Sequence, residues 1–276
     1  MYPNIPAYYR ITPEELSANA RIPVTVMEDA GEVLSNYAFQ MLLEIEQNNR
    51  EGRKTVFILP CGPTAQYPIF ARLVNRRRTS LRNVWFINMD ELLTAEGKWI
   101  PEDDPQSFHR QMNEQLYDRI DPTLLMPKEQ RVFPDPRDPG AIGRLIDALG
   151  GVDMVMGGIA LNGHLAFNEP EPEMSVEEFA ALPTRVLELT APTIVKNGII
   201  GLGGAYDVFP TRAITVGMKE MLGARRILVS MMLDMQRAAI RHALHGEVSA
   251  SFPVTLLQNH PNAEIMISRN VSKMPF

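Results

Sequence analysis

Cysteine is nearly absent: Cys61 is the one thiol in 276 residues, so no internal disulfide can form. No apolar run approaches the length of a membrane span. The opening residues, Met1 to Pro6, lack a basic stretch followed by an apolar core, so no signal peptide is visible. Positive charge is in deficit: the formal net charge of −6 argues against nucleic acid as a partner. Histidine and cysteine nowhere take the spacing of metal ligands. Internal repeats and long Pro/Gly/Ser linkers are missing as well. These absences together predict a cytoplasmic protein that meets neither membrane nor nucleic acid. A hydrophobic content of 45% and a charged content of 22% are ordinary for a globular chain. The length would allow one large α/β domain or two small ones, and the missing linker favours one.

What is present alternates. Helical spacing of Val33, Leu34, Tyr37, Ala38, Met41, Leu42 and Ile45 predicts a helix over Glu28 to Asn49. Thr55 to Leu59 and Val84 to Asn88 are short apolar runs bounded by turn residues and read as buried strands, with a helix over Gln66 to Asn75 between them. A helix is expected over Gln106 to Arg119, then a polar, Pro-rich connection from Pro122 to Pro139, then a helix over Ala141 to Leu149 with Gly150-Gly151 as its cap. Val152 to Ile159, Arg185 to Thr190, Ile227 to Met231 and Ala263 to Ser268 complete the expected strands. Met235 to His245 reads as a helix, and Ser251 as the cap of a short helix opened by Pro253. Ile199 to Tyr206 is Gly-rich and expected to be irregular. Glu171 to Glu178 is acidic and reads as a lid or as a plain surface loop. The alternation predicts a three-layer α/β fold: a mostly parallel, Rossmann-like sheet with helices on both faces. Residues 1 to 22, rich in Pro and Tyr, read as an extension on the surface or against a neighbouring subunit, and residues 23 to 276 as the α/β domain.

The chemistry concentrates in the stretch from Met156 to Pro170. It leaves a strand and carries the amides of Gly157-Gly158, then Asn162, His164, Asn168 and Glu169. Loops at the carboxyl ends of strands are where open α/β sheets bind ligands. His164 has the one side chain here that titrates near neutrality, and Glu169 could hold or tune it. The plainer reading is a tight turn with a satisfied histidine. Pro60 to Ala65, a small-residue loop between strand and helix, could offer amides to an anion or could merely connect. Pro63 removes one donor from it. Asp90 and Glu91 follow a strand directly; Asp90 reads as a catalytic carboxylate or as a helix cap. Arg76-Arg77-Arg78 reads as a solvated helix end.

These stretches resemble the glucosamine-6-phosphate deaminase/isomerase family. Gly163-His164 and Ala166-Phe167-Asn168-Glu169-Pro170 match that family's signature, and Asn162 stands where it usually has aspartate. Asn88 to Glu91 match its Asn-Met-Asp-Glu fully; Gly62 and Thr64 keep its phosphate loop while Cys61 and Pro63 depart from it. Ser107-Phe108-His109, Ala213 to Gly217 and Leu257 to Pro261 are similar to further family segments. The resemblance runs from about residue 23 to about residue 270.

The resemblance implies an aldose–ketose isomerisation coupled to ammonia release from an amino sugar phosphate. His164, oriented by Asn162 and Glu169, would open the sugar ring, and Asp90 would shuttle a proton between C2 and C1. No metal or organic cofactor is implied, and a homo-oligomer is. Substrate would be held by Cys61, Gly62, Thr64 and Gly158. The family's phosphate-binding arginine and lysine fall on Ile199 and Gln236, with Lys196, Arg212 and Arg237 near enough in sequence to substitute; of these groups Arg212 and Gln236 are taken as substrate contacts. His109 is expected to be structural or at the rim. Two other classes remain: a hydrolase like the related 6-phosphogluconolactonases, and a sugar-phosphate-binding regulatory protein without chemistry.

Overall fold

Ten strands and nine helices occur among residues 5–276, the part of the chain that the computed structural model describes. The strands are β1 (Val24–Met27), β2 (Thr55–Leu59), β3 (Val84–Asn88), β4 (Asp90–Leu93), β5 (Arg131–Val132), β6 (Met154–Gly158), β7 (Arg185–Glu188), β8 (Arg212–Thr215), β9 (Arg226–Met231) and β10 (Ala263–Ser268). The helices are α1 (Ala30–Arg50), α2 (Gln66–Arg77), α3 (Phe108–Gln115), α4 (Ala141–Leu149), α5 (Val176–Ala180), α6 (Ala191–Gly201), α7 (Met218–Leu222), α8 (Arg237–His245) and α9 (Arg269–Ser272).

Seven strands form one parallel sheet in the order β1-β10-β9-β6-β2-β3-β5. All five residues of β2 are buried, as expected of a central parallel strand covered on both faces. Its side chains alternate between two cores. Phe57 and Leu59 join Tyr37, Met41, Phe70 and Val74 under α1 and α2. Val56 and Ile58 join Ile142, Ile146, Ile240 and Leu244 under α4 and α8. Period-two alternation in the strands thus builds the three layers expected from the sequence.

A second, three-stranded antiparallel sheet, β4-β8-β7, was not expected. Met89 creates it. Its amide still bonds Leu59 of the large sheet (2.9 Å), while its carbonyl accepts from Val216 beside the small one (2.6 Å). The chain therefore passes from β3 to β4 in one residue, which puts Asp90 at the junction of two sheets.

Several local expectations need correction. Ile199 to Gly201 belong to α6 rather than to irregular chain. Gly198 is there because the turn at Tyr206–Val208 lies on the helix, where a Cβ would come within 2.4 Å of Tyr206 Cα. The acidic segment is neither lid nor free loop at its far end: Ser175 and Glu178 form a capping box that opens α5, and Phe179 is fully buried. Ser251 caps nothing, since Pro253–Asn259 is a 3-10 helix whose preceding residue is Phe252. The Pro-rich connection hides the edge strand β5, too short to show as a pattern.

The N-terminal reading falls partly outside the described residues, at 1–4. From residue 5 onward the segment packs on its own chain: Leu16 and Ile22 are core residues. The guanidinium of Arg241, itself fully buried, donates to the carbonyls of Ile11 (2.8 Å), Ser272 (2.7 Å) and Lys273 (3.0 Å).

Candidate active site

Strand order reverses at β2 and β6: the chain builds outward through β3 and β5 on one side, then through β6 and β9 on the other. Connections leaving such neighbours part in opposite directions and leave a crevice at their carboxyl ends. Here it is a cavity of about 410 Å³. Gly62 and Gly158 face each other across it, and a Cβ at position 158 would stand 3.2 Å from Pro63 and 3.4 Å from the Gly62 carbonyl. A side chain at 158 would crowd the two loops where they approach. Asp90, His164, Cys61, Gly62, Thr64, Gly158 and Gln236 all line this cavity; Asn162, Glu169 and Arg212 do not.

Asp90 is 6% exposed and begins β4, paired with Thr215, so the helix-cap alternative does not hold. Burial, reinforced by the neighbouring Glu91 carboxylate, pushes its pKa up to about 8. At neutral pH it is largely protonated yet poised to exchange that proton, the condition for an acid that must also act as a base. Glu91 itself is turned away from the cavity and fully buried. It accepts from the amides of Phe108 (3.0 Å) and His109 (2.9 Å), in the first turn of α3, and lies 2.6 Å from His109 Nδ1. His109 stacks on Phe133 and stays out of the cavity, a structural partner to that carboxylate.

His164 faces the cavity with its back to a carboxylate. Nδ1 lies 3.1 Å from Glu169 Oε2 and 3.3 Å from Thr193 Oγ1. A neutral imidazole in that position carries its proton on Nδ1, which leaves Nε2 as the nitrogen for acid/base work on the cavity side. Burial would raise the Glu169 carboxyl, but its bonds to His164, Thr193 and Asn162 overcome that and hold it at about 2. It also accepts from the amide (3.3 Å) and hydroxyl (3.1 Å) of Thr190 at the entry to α6. Asn162 departs from expectation: its Nδ2 donates to Glu169 Oε2 at 2.7 Å and its Oδ1 meets only the His164 backbone amide, at 3.4 Å. It touches the carboxylate, not the ring. The turn that presents His164 needs Gly163, whose φ is +80° and whose Cβ would fall 2.6 Å from the Phe252 ring.

The expected substrate contacts divide. Gly62 and Thr64 lie in the loop that leads into α2 and line the cavity. The Cys61 thiol is buried and pushed well up by desolvation, so it is no nucleophile. Gln236 lines the cavity, but its Oε1 accepts from the amides of Met232 and Leu233 (2.8 Å each) and its Nε2 donates to the Ile159 carbonyl (2.6 Å). It ties the β9 loop to β6, and one N–H is left over. Arg212 is misplaced as a substrate contact. It opens β8, the central strand of the small sheet, 3.0 Å from Glu188 and bonded to the Ala95 carbonyl at 3.1 Å. Arg237 is bound to Asp234 and Asn270. Lys196 does line the cavity.

Thr190 and Thr193 were missed as parts of the site. The strand expected through Thr190 hid the start of α6; a Thr one position before Ala-Pro, an N-cap followed by proline at the second helical place, was the available signal.

No family model matches the chain. The glucosamine-6-phosphate deaminase of Shewanella loihica is 32% identical over 254 residues, covering 88% of this chain and 86% of that one. That of Mycoplasma mycoides is 29% identical over 246 residues, covering 87% and 93%. Among solved structures, a monomeric glucosamine-6-phosphate deaminase superimposes with a TM-score of 0.79 at 25% identity, over 91% of this chain and 99% of that one. The 6-phosphogluconolactonase of Thermotoga maritima gives a TM-score of 0.65 at 14% identity, over 89% and 99%, a likeness of fold alone.

Proposed function

The chain belongs to the glucosamine-6-phosphate deaminase family, and from that footing we propose that it isomerises an amino sugar phosphate to the ketose with release of ammonia. The observation that carries the reading is a poised carboxyl and a carboxylate-backed imidazole on one cavity: Asp90, held near pH 8, and His164, held by Glu169.

The chemistry runs in two stages. His164 Nε2 takes the proton of the anomeric hydroxyl and returns one to the ring oxygen, opening the sugar. Glu169 fixes the tautomer that makes this exchange available and stabilises the imidazolium that forms. Asp90 then moves a proton from C2 to C1 through an enolamine. The resulting imine at C2 takes up water and loses ammonia. The residues in contact with the reacting sugar are Asp90 and His164; Glu169, with Asn162 behind it, positions the imidazole. The loop amides at Gly62 and Thr64 and the backbone at Gly158 would hold the sugar phosphate.

The test is coupled measurement of ammonia release from glucosamine 6-phosphate, alongside hydrolysis of 6-phosphogluconolactone and calorimetric binding. Ammonia release with no lactone hydrolysis supports the reading. Lactone hydrolysis alone replaces it with the hydrolase, and binding without either reaction replaces it with a sugar-phosphate sensor. The assembly we infer is a homo-oligomer in the cytoplasm, checked by sedimentation and cell fractionation.

A further inference from the structure

α6 brings to the cavity a positive charge that makes no ion pair among the described residues. Lys196 lines the cavity with Asn197, Ile200 and Gly201, along one face of the helix. It is half-buried, and its Nζ donates to the Asn197 side-chain oxygen at 3.0 Å. Desolvation lowers its pKa. The acids of the site are engaged elsewhere. Asp90 keeps its proton up to about pH 8. Glu169 serves His164, Asn162 and Thr190, and Glu91 serves the first turn of α3. Among the described residues, Lys196 is the sole lysine or arginine of the cavity lining. Retaining a partly desolvated charge without a counter-ion is unfavourable, so a cavity that does so is set for a ligand of opposite sign.

We propose that Lys196 recognises the anionic group of the substrate, as the one charged donor of the cavity lining beside the neutral loop amides. Ile199, on the same helix, is apolar and 58% exposed, and Gln236 spends all but one of its polar groups on backbone. The lining near the β9 loop, Met232, Leu233 and Met235, is apolar too. An ammonium offers three donors from a point charge, which suits one compact anionic group such as a phosphate. This inference rests on the proposed deaminase reading for its reaction, though not for its binding.

Lys196→Met and Lys196→Arg test it, through ammonia release and through calorimetry with glucosamine 6-phosphate and with inorganic phosphate as the competing anion. The methionine variant should raise KM and both dissociation constants roughly ten- to hundred-fold, the range for losing a hydrogen bond to a charged group. Its kcat should stay within about threefold, because such binding is made equally in ground and transition states. The arginine variant should recover part of the affinity. Unchanged dissociation constants overturn the proposal, as does a collapse of kcat at constant KM, which would give Lys196 a part in the chemistry. If the unaltered protein releases no ammonia, the deaminase reading falls while the calorimetric comparison still decides the role of Lys196.

Discussion

Asn162 reaches His164 only through Glu169: its amide nitrogen donates to Glu169 Oε2 at 2.7 Å, and the same oxygen faces the imidazole at 3.1 Å. Position 162 therefore acts on the charge of a carboxylate rather than on the ring. Asn162→Asp would set two carboxylates within hydrogen-bond distance, and their repulsion raises the pKa of one of them. It also removes the amide donor that holds Glu169 behind His164, so turnover at pH 7 should not rise above that of the unaltered protein. Thermal stability should fall as pH rises above about 4, because ionising the second acid is then penalised in the folded state alone. A clear gain in ammonia release would refute this account of position 162.

Glu169→Gln keeps the shape and removes the charge. Turnover should drop by two to four orders of magnitude, roughly the scale seen when a histidine-orienting carboxylate is neutralised in serine proteases. The same change should flatten acid stability. Glu169 is held at about 2 when folded, below its ordinary value, so its contribution is present above about pH 4.3 and lost as pH falls toward 2. Melting curves across that window on both forms check the sign.

Asp90 has the opposite linkage. Unfolded, it loses its proton near pH 4; folded, near 8. Between those values the folded state binds the additional proton, so this group destabilises the protein progressively as pH rises from about 4 to 8. Asp90→Asn should remove turnover, leave glucosamine 6-phosphate binding nearly intact, and raise the melting temperature more at pH 8 than at pH 5. A variant equally affected at both pH values would show that the carboxyl titrates normally.

Gln236→Lys places a second cation on the cavity lining, yet it should not improve affinity. The three bonds to Met232, Leu233 and Ile159 would be lost, at a cost of roughly 2–3 kcal/mol. Denaturant midpoints measure that loss, and phosphate affinity measures the absence of gain.

The sequence shows the long elements almost to the residue, because burial on both faces of β2 and β3 and the apolar stripe of α1 leave a local trace. It also shows Asp90, His164 and Glu169, which lie inside recognisable strand-end motifs. What it hides depends on distance. Arg212 and Arg237 look as suitable as Lys196 along the chain; only the fold pairs Arg212 with Glu188 and Arg237 with Asp234 and leaves Lys196 on the cavity. Gln236 looks like a polar contact until its amide is seen to close a turn. Gly198 looks like a helix breaker, yet it marks where another segment presses on a helix.

Arg241 and the edge strand β1 give this architecture a consequence in time. β1 has β10 as its one neighbour in the sheet, and the carbonyl of Ile11 meets those of Ser272 and Lys273 at one buried guanidinium. The segment around Ile11 and the strand β1 must therefore wait for partners far along the chain before they can dock. A chain cut before residue 272 would leave Arg241 without two of its carbonyl acceptors, and one cut before β10 would leave β1 without a ladder.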